Sequence, residues 1–321
     1  MRLVFAGTPS AAVPSLNALH ASAHEIVSVI TRADAPLGRR RIMTPSAVGG
    51  RADELGLPTI KTNRLDDAVT DEVADLRPDL GVVVAYGGLV RQRLLAVPRL
   101  GWINLHFSLL PRWRGAAPVQ HAVLAGDETT GAAVFRLVPE LDAGDVYATI
   151  SRPIGASQTA GELLEQLARD GAELLVSVVD GLAAGTASAV PQSGEPTPAP
   201  KVTIEDARLR WSDPAQRVLA RIRAFTPEPG AFTTVQGTRL KILEARPVSE
   251  PSATAAAAAS QAHTVPQAPG EVRADGPSIL IGTGTDPIEL VAVQPAGKRP
   301  MPAADWWRGL AARPVVAEAG R

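Results

Sequence analysis

At 321 residues the chain is long enough for about two domains, and 45% hydrophobic against 20% charged residues is the balance of a folded globular protein, not a disordered or fibrous one. The absence of cysteine excludes disulfide scaffolds, thiolate metal sites, iron–sulfur clusters and cysteine nucleophiles. With 32 basic and 33 acidic residues the net charge is −1, so nucleic acid could be held only by local clusters of cations, not by bulk charge.

Residues 2–6 form a short apolar run that ends in Gly7-Thr8-Pro9, after which Val13, Leu16 and Leu19 recur at helical spacing. That pattern predicts strand, turn and helix. Further continuous apolar runs at 26–30 and 80–85 suit strands buried on both faces of a parallel sheet. Strands are also expected at 101–105, 132–138 and 146–150. Thr159 with Glu162 makes a capping box before a long amphipathic helix that runs to Leu182. The four prolines between Pro191 and Lys201 have the composition of a stiff, extended linker.

Beyond the linker, Ser212 or Asp213 is expected to cap a helix carrying Pro214 in its first turn and Ala215, Val218, Leu219 and Ile222 on one face. Short alternating segments at 231–235, 239–243, 278–281 and 288–293, separated by turns, predict a small antiparallel barrel. The stretch 247–270 holds a five-alanine run between prolines and is expected to be a disordered insertion. The plan is therefore an α/β domain over 1–190 with an open, parallel-rich, Rossmann-like sheet, a linker over 191–205, and a small OB-like antiparallel β-barrel over 206–321. No run approaches the ~18 apolar residues of a membrane span. Met1 leads directly into a strand-like run with no sign of a targeting segment, so a cytoplasmic protein is expected.

The Gly7-Thr8-Pro9 turn lies where dinucleotides bind but lacks the second and third glycines of that fingerprint, which argues against a nicotinamide cofactor. The sharper constellation begins at Asn104-Leu105-His106, at the end of a predicted strand. Residues two apart on a strand share a face, and at the carboxyl edge of an open sheet that face looks into the ligand crevice. Acyl transfer to an amine needs an oxyanion stabiliser and a proton acceptor, which an Asn amide and a neutral imidazole supply. A carboxylate to support the imidazole is offered by Leu141-Asp142-Ala143-Gly144-Asp145, and on chemistry alone Asp142 and Asp145 both qualify.

Several strings resemble the methionyl-tRNA formyltransferase family over nearly the whole chain: Phe5-Ala6-Gly7-Thr8-Pro9, Val84-Ala85-Tyr86-Gly87, Ile103-Asn104-Leu105-His106, Ser108 to Gln120, Leu141-Asp142-Ala143-Gly144-Asp145 and Gln294 to Arg299. The resemblance implies transfer of the formyl group of 10-formyltetrahydrofolate to the α-amino group of methionyl initiator tRNA, for translation initiation. It implies catalytic roles for Asn104 at the oxyanion, His106 as proton acceptor and Asp142 as its support, with Asp145 secondary. Ser108, Leu109, Leu110 and Pro111 match the segment that contacts folate, and Tyr86, Gly87, Leu89 and Val90 would help wall the pterin pocket. Arg39, Arg40 and Arg41 fall in the loop that would enter the acceptor end of the tRNA. Arg221, Arg223, Arg239, Lys241, Lys298 and Arg299 of the second domain are candidate phosphate contacts. A monomer with no metal and no membrane association is expected.

Two positions depart from the family pattern. Glu228 stands between prolines where the family usually has an aromatic residue, and the 247–270 stretch is longer than usual. A hydrolase that releases formate, or a formyltransferase for an amino sugar, would share Asn104, His106 and Asp142, but the arginine loop and the barrel favour RNA. A non-enzymatic RNA-binding protein would not require the Asn-x-His and Leu-Asp-Ala-Gly-Asp constellation.

Overall fold

Leu3, Val4, Phe5 and Ala6 have no exposed surface, as expected of a strand covered on both faces. They belong to β1 (Arg2–Gly7), an interior strand of a seven-stranded sheet in the computed structural model, which describes residues 1–38, 41–248, 267–310 and 315–318. The chain continues through α1 (Val13–His20), β2 (Glu25–Thr31), the hairpin strands β3 (Ala35–Leu37) and β4 (Ile42–Thr44), α2 (Ala47–Glu54) and β5 (Thr59–Lys61). Next come α3 (Asp67–Asp75), β6 (Leu80–Val84), α4 (Gln92–Leu95), β7 (Trp102–His106) and β8 (Arg114–Gly115). After α5 (Pro118–Ala125) follow β9 (Thr129–Arg136), β10 (Val146–Pro153), α6 (Ala160–Ala184) and β11 (Pro198–Ala199). The sheet order is β10-β9-β7-β6-β1-β2-β5. The pairs from β7 to β5 are parallel, and β9 and β10 add antiparallel at one edge.

The helices form where the sequence supplies apolar spacing and caps. Leu16 and Leu19 of α1 are fully buried. Ser46 accepts from the Gly49 N–H at 2.9 Å to cap α2, and Asp66 accepts from the Val69 N–H at 3.1 Å to cap α3. On β7, Leu105 packs against Gly171 of α6, where a Cβ would come within 3.0 Å of its side chain.

Contacts divide the chain into two compact units. One comprises Met1–Val119, Glu128–Ile154 and Glu162–Lys201. The other comprises Gln120–Asp127, Gly155–Gly161 and the described part of Val202–Arg321. The second unit contains α7 (Ala215–Ala224), β12 (Phe232–Val235), β13 (Thr238–Pro247), β14 (Glu271–Asp275) and β15 (Ser278–Ile281). It ends with β16 (Ile288–Pro295), β17 (Met301–Pro302), α8 (Ala303–Arg308) and β18 (Val315–Val316). Its strands run β12-β13-β16-β15-β14-β18, all antiparallel. A bridge from Ala317 back to Val235, with the Glu318 N–H donating to the Thr234 carbonyl at 2.8 Å, closes the sheet into the expected barrel. Trp211, Phe225, Ile242 and Val293 fill its core. Trp211 satisfies its indole N–H on Thr233 Oγ1 at 3.0 Å.

Three local expectations are corrected. Neither Ser212 nor Asp213 caps α7. Pro214 takes the cap position without a side-chain bond, and Thr285, far away in sequence, accepts from the Ala215 N–H at 3.1 Å. β14 was not foreseen, because in Glu271-Val272-Arg273-Ala274-Asp275 only Val272 is buried. The proline-rich stretch, expected as a stiff, extended linker, is extended but also paired: Pro198–Ala199 pairs in parallel with β8, and the Arg114 N–H donates to the Thr197 carbonyl at 2.8 Å. Proline is compatible with extended backbone, so the same composition serves an edge strand as well as a linker. Residues 249–266, most of the expected insertion, lie outside the described residues.

Candidate active site

The carboxyl ends of β6 and β7 and the turn after β1 open onto a cavity of about 570 Å³, the position an open α/β sheet reserves for ligands. Asn104 and His106 both line it, as their shared strand face requires. One wall is the segment after β6, Ala85 to Val90, and another is the β9–β10 loop, Leu137 to Asp142.

His106 is buried, at 6% exposure. Its Nε2 lies 2.8 Å from the Trp113 carbonyl oxygen, which can only accept, so Nε2 carries the proton and Nδ1 keeps its lone pair. Nδ1 stands 3.8 Å from Asp142 Oδ2, beyond hydrogen-bond length but close enough for the carboxylate to favour a positive ring. Burial is the larger influence and holds the imidazole below its ordinary 6.5, against the pull of Asp142 and the Trp113 carbonyl. At neutral pH the ring is therefore an uncharged base. Trp113 presents its carbonyl from a left-handed conformation, φ 63°, fixed by its N–H on Thr197 Oγ1 at 2.8 Å.

Asp142 is held as firmly. Its Oδ2 accepts from the Gly115 N–H at 2.8 Å, while Gln192 Nε2 donates to the carbonyls of Asp142 and Gly144, both at 2.8 Å. Gln192 is in turn oriented by Arg114, whose Nε and Nη2 donate to its Oε1 at 3.1 and 2.6 Å. Two glycines make this possible. A Cβ on Gly115 would sit 2.4 Å from the Ala199 carbonyl oxygen, and one on Gly144 would sit 1.8 Å from that of Arg136. Asp145 lines no part of the cavity and contributes its backbone carbonyl to the Arg136 N–H at 2.8 Å. Of the two carboxylates that chemistry left open, Asp142 is the one that lines the cavity and faces His106. Asn104 Oδ1 is buried without a hydrogen-bond partner among the described residues, the state of a polar group that awaits a ligand.

The four residues expected to contact folate lie in the turn after β7. Ser108 is fully buried and donates to the Arg112 carbonyl at 2.6 Å, and Leu110 packs on Ala133, Phe135 and Val146. Leu109 closes on Gly131, and the Pro111 carbonyl accepts from the Thr197 N–H at 3.3 Å. None of the four lines the cavity; they shape the turn that delivers Trp113 to His106. An apolar motif does not reveal whether its side chains face a ligand or a sheet. Tyr86, Gly87, Leu89 and Val90 do line it. Sequence reasoning missed the Trp113 carbonyl and Gln192, and 50 residues separate Gln192 from the aspartate that it holds.

Arg39 and Arg40 lie outside the described residues. Arg41 is exposed beside the β3–β4 hairpin at φ 49°. In the barrel, Lys298 and Arg299 are exposed, and Lys241 lies against Gly230. The Arg239 guanidinium stacks 3.6 Å above the Phe232 ring. Arg221 and Arg223 are half-buried, and burial lowers both from the ordinary arginine value.

Residues 1–179 match the formyl transferase family and residues 201–311 match the formyl transferase C-terminal domain. Fold, cavity and family model together define a formyl transferase. A methionyl-tRNA formyltransferase from Leifsonia xyli subsp. xyli (strain CTCB07) is 60% identical, covering 98% of this chain and 100% of its own. Another, from Clavibacter michiganensis subsp. michiganensis (strain NCPPB 382), is 56% identical over 99% of this chain and 100% of its own. The chain belongs to the methionyl-tRNA formyltransferase family. The fold also matches HypX from Aquifex aeolicus in complex with tetrahydrofolic acid, with a TM-score of 0.62 and 18% identity, covering 95% of this chain and 46% of that one.

Proposed function

We infer that the chain transfers the formyl group of 10-formyltetrahydrofolate to the α-amino group of methionyl initiator tRNA, with Asn104, His106 and Asp142 at the reacting centre. The carrying observation is the convergence of a neutral His106 Nδ1, the Asp142 carboxylate 3.8 Å away and the unpartnered Asn104 Oδ1 on one cavity. A donor of this class fits. About 570 Å³ is within the range of small-molecule sites, and the Tyr86–Val90 and Leu137–Leu141 walls are largely apolar or backbone.

When bound, the donor supplies a formyl carbon open to attack by an amine. His106 Nδ1 takes the proton that the amine loses as its bond to that carbon forms. The ring then carries a charge facing Asp142 Oδ2, and the carboxylate stabilises it. The Asn104 amide offers an N–H to the negative charge that develops on the formyl oxygen and a carbonyl to the incoming amine. His106 afterwards returns the proton to the nitrogen that departs. His106 and Asp142 are fixed beforehand by the Trp113 carbonyl and the Gly115 N–H, so these two groups need little reorganisation during the reaction.

Arg39, Arg40 and Arg41, with the barrel unit and its exposed Lys298 and Arg299, are assigned to the tRNA. The 1–190 and 206–321 plan thus becomes catalysis and RNA binding. A cytoplasmic monomer needs no metal for this chemistry, and a chelator should leave the rate unchanged. The test is formation of formyl-methionyl-tRNA from purified protein, charged initiator tRNA and 10-formyltetrahydrofolate, read on acid gels or by mass. The parent should turn over, and Asn104→Ala should lose about 10² to 10³ in kcat. An inactive parent sinks the assignment. Replacing Arg39, Arg40 and Arg41 together with Ala should flatten the salt dependence while sparing donor binding; an unchanged slope returns the loop to bulk surface.

A further inference from the structure

Arg32 follows the last residue of β2 and precedes the β3–β4 hairpin, and it does not line the cavity. Its guanidinium nevertheless reaches the cavity wall: Nη2 donates to the Gly87 carbonyl at 2.6 Å. Nη1 donates to the Asn63 carbonyl at 3.4 Å, and the charge lies 5.8 Å from the centre of the buried Tyr86 ring. The segment it grips is unusual backbone, with Ala85 at φ 48° and Gly87 at φ 77°, and it carries Leu89, 75% exposed, at the cavity.

The surrounding contacts make one closed circuit of three loops. Tyr86 is tied by its hydroxyl to the Thr62 carbonyl at 3.2 Å and by its own carbonyl to Thr8 Oγ1 at 3.1 Å. On the hairpin side, Asp34 is paired with Lys61 of β5 at 3.2 Å. The stem 32–34, the turn 62–64 and the wall 85–88 are thus bonded pairwise, and Arg32 is the residue that touches all of them. Backbone turns with left-handed residues have few hydrogen bonds of their own, so an external donor on their carbonyls sets their position.

We propose that Arg32 is a positioning residue that fixes the Tyr86–Gly87 wall of the donor cavity and couples it to the stem of the β3–β4 hairpin. The planar guanidinium suits this, since its separate nitrogens reach two carbonyls while its face lies near a ring; an ammonium carries three donors but on a single nitrogen, with no rigid fork to span the two carbonyls and no face to stack. The consequence is that occupancy of the cavity wall and order in the hairpin stem are linked in both directions. The inference rests on the reading that the cavity holds the formyl donor.

The experiment compares the full-length parent with Arg32→Ala, Arg32→Lys and a control, Arg64→Ala, which removes a like charge from the neighbouring turn. Steady-state formylation should show the KM for 10-formyltetrahydrofolate raised about tenfold in Arg32→Ala with kcat within a factor of about two, and only partial recovery in Arg32→Lys. Hydrogen exchange of the donor-free proteins should be faster at residues 33–37 and 85–88 in both Arg32 variants, and unchanged in Arg64→Ala. If Arg32→Ala fails to fold, Arg32→Lys carries both measurements. Parental donor KM and parental exchange at 85–88 would overturn the proposal, as would a lowered melting temperature with no split between KM and kcat. A parent that makes no formyl-methionyl-tRNA would instead defeat the functional reading beneath it.

Discussion

The His106 and Asp142 side chains are buried, and each is held by a second layer: the imidazole by the Trp113 carbonyl, Asp142 by Gly115 and Gln192, Gln192 by Arg114. The barrel presents its charge in another way. Its cations stand at or near the surface, some paired, as Arg246 with Glu289 at 2.6 Å, some stacked, as Arg239 on Phe232, and some exposed, as Lys298 and Arg299. Chemistry on a carbonyl needs few groups placed within tenths of an ångström in a low-dielectric site, whereas an RNA backbone is met by many contacts that are individually weak. Loss of one group should therefore be severe in the first region and mild in the second.

The sharpest break in that contrast is His106→Ala, expected to cut single-turnover formylation by about 10² to 10⁴ while the fold survives. A loss of only a few-fold would show that the base lies elsewhere. Asp142→Asn keeps the shape and should still cost at least about 10², with Asp145→Asn costing much less, because only Asp142 faces His106. The reverse order in the same assay would move the role to Asp145.

The pH profile sharpens the comparison further. Burial keeps folded His106 neutral below its ordinary 6.5, so the acid limb of the rate profile should fall below pH 6.5. Asp142→Asn removes the charge that opposes burial and should push that limb lower still, which rate measurements between pH 4.5 and 8, a window set by the ordinary histidine range, would reveal. The sign for stability is the same: the unfolded chain takes up this proton first as pH falls, so His106 lowers stability on acidification, and His106→Gln should reduce that dependence in denaturant titrations.

Smaller effects test the outer layer and the surface. Gln192→Ala should lose about tenfold in kcat, and much less when Asp142 is already Asn, because Gln192 acts through that residue. Full additivity of the two changes would contradict the coupling. Lys298→Ala with Arg299→Ala should leave the single-turnover rate at saturating tRNA within about twofold and reduce the salt slope of tRNA binding by up to about two. A large fall in the saturated rate would show that the barrel takes part in chemistry.

Much of the first unit was legible in the chain. Continuous apolar runs gave β1, β2 and β6, and the two-residue period put Asn104 and His106 on one face, because strand side chains alternate whatever the surroundings. The barrel was legible as four alternating segments, while β14, with one buried residue in five, carried no pattern to read. The caps at Ser46 and Asp66 also rest on bonds that span only three residues, though the sequence reading did not single them out.

What the sequence could not hold is whatever depends on distant partners. That Asp142 and not Asp145 faces His106 depends on the Gly115 N–H that holds its carboxylate, and which nitrogen of His106 keeps its lone pair depends on the Trp113 carbonyl. The cap of α7 came from Thr285, and the proline-rich stretch became part of the site because Ala199 and Gln192 found β8 and the Asp142 loop. These outcomes share one cause. Covalent geometry and side-chain period act over a few residues and are written locally, but the pairing of a buried polar group is settled by whichever complementary group the packed fold brings within about 3 Å.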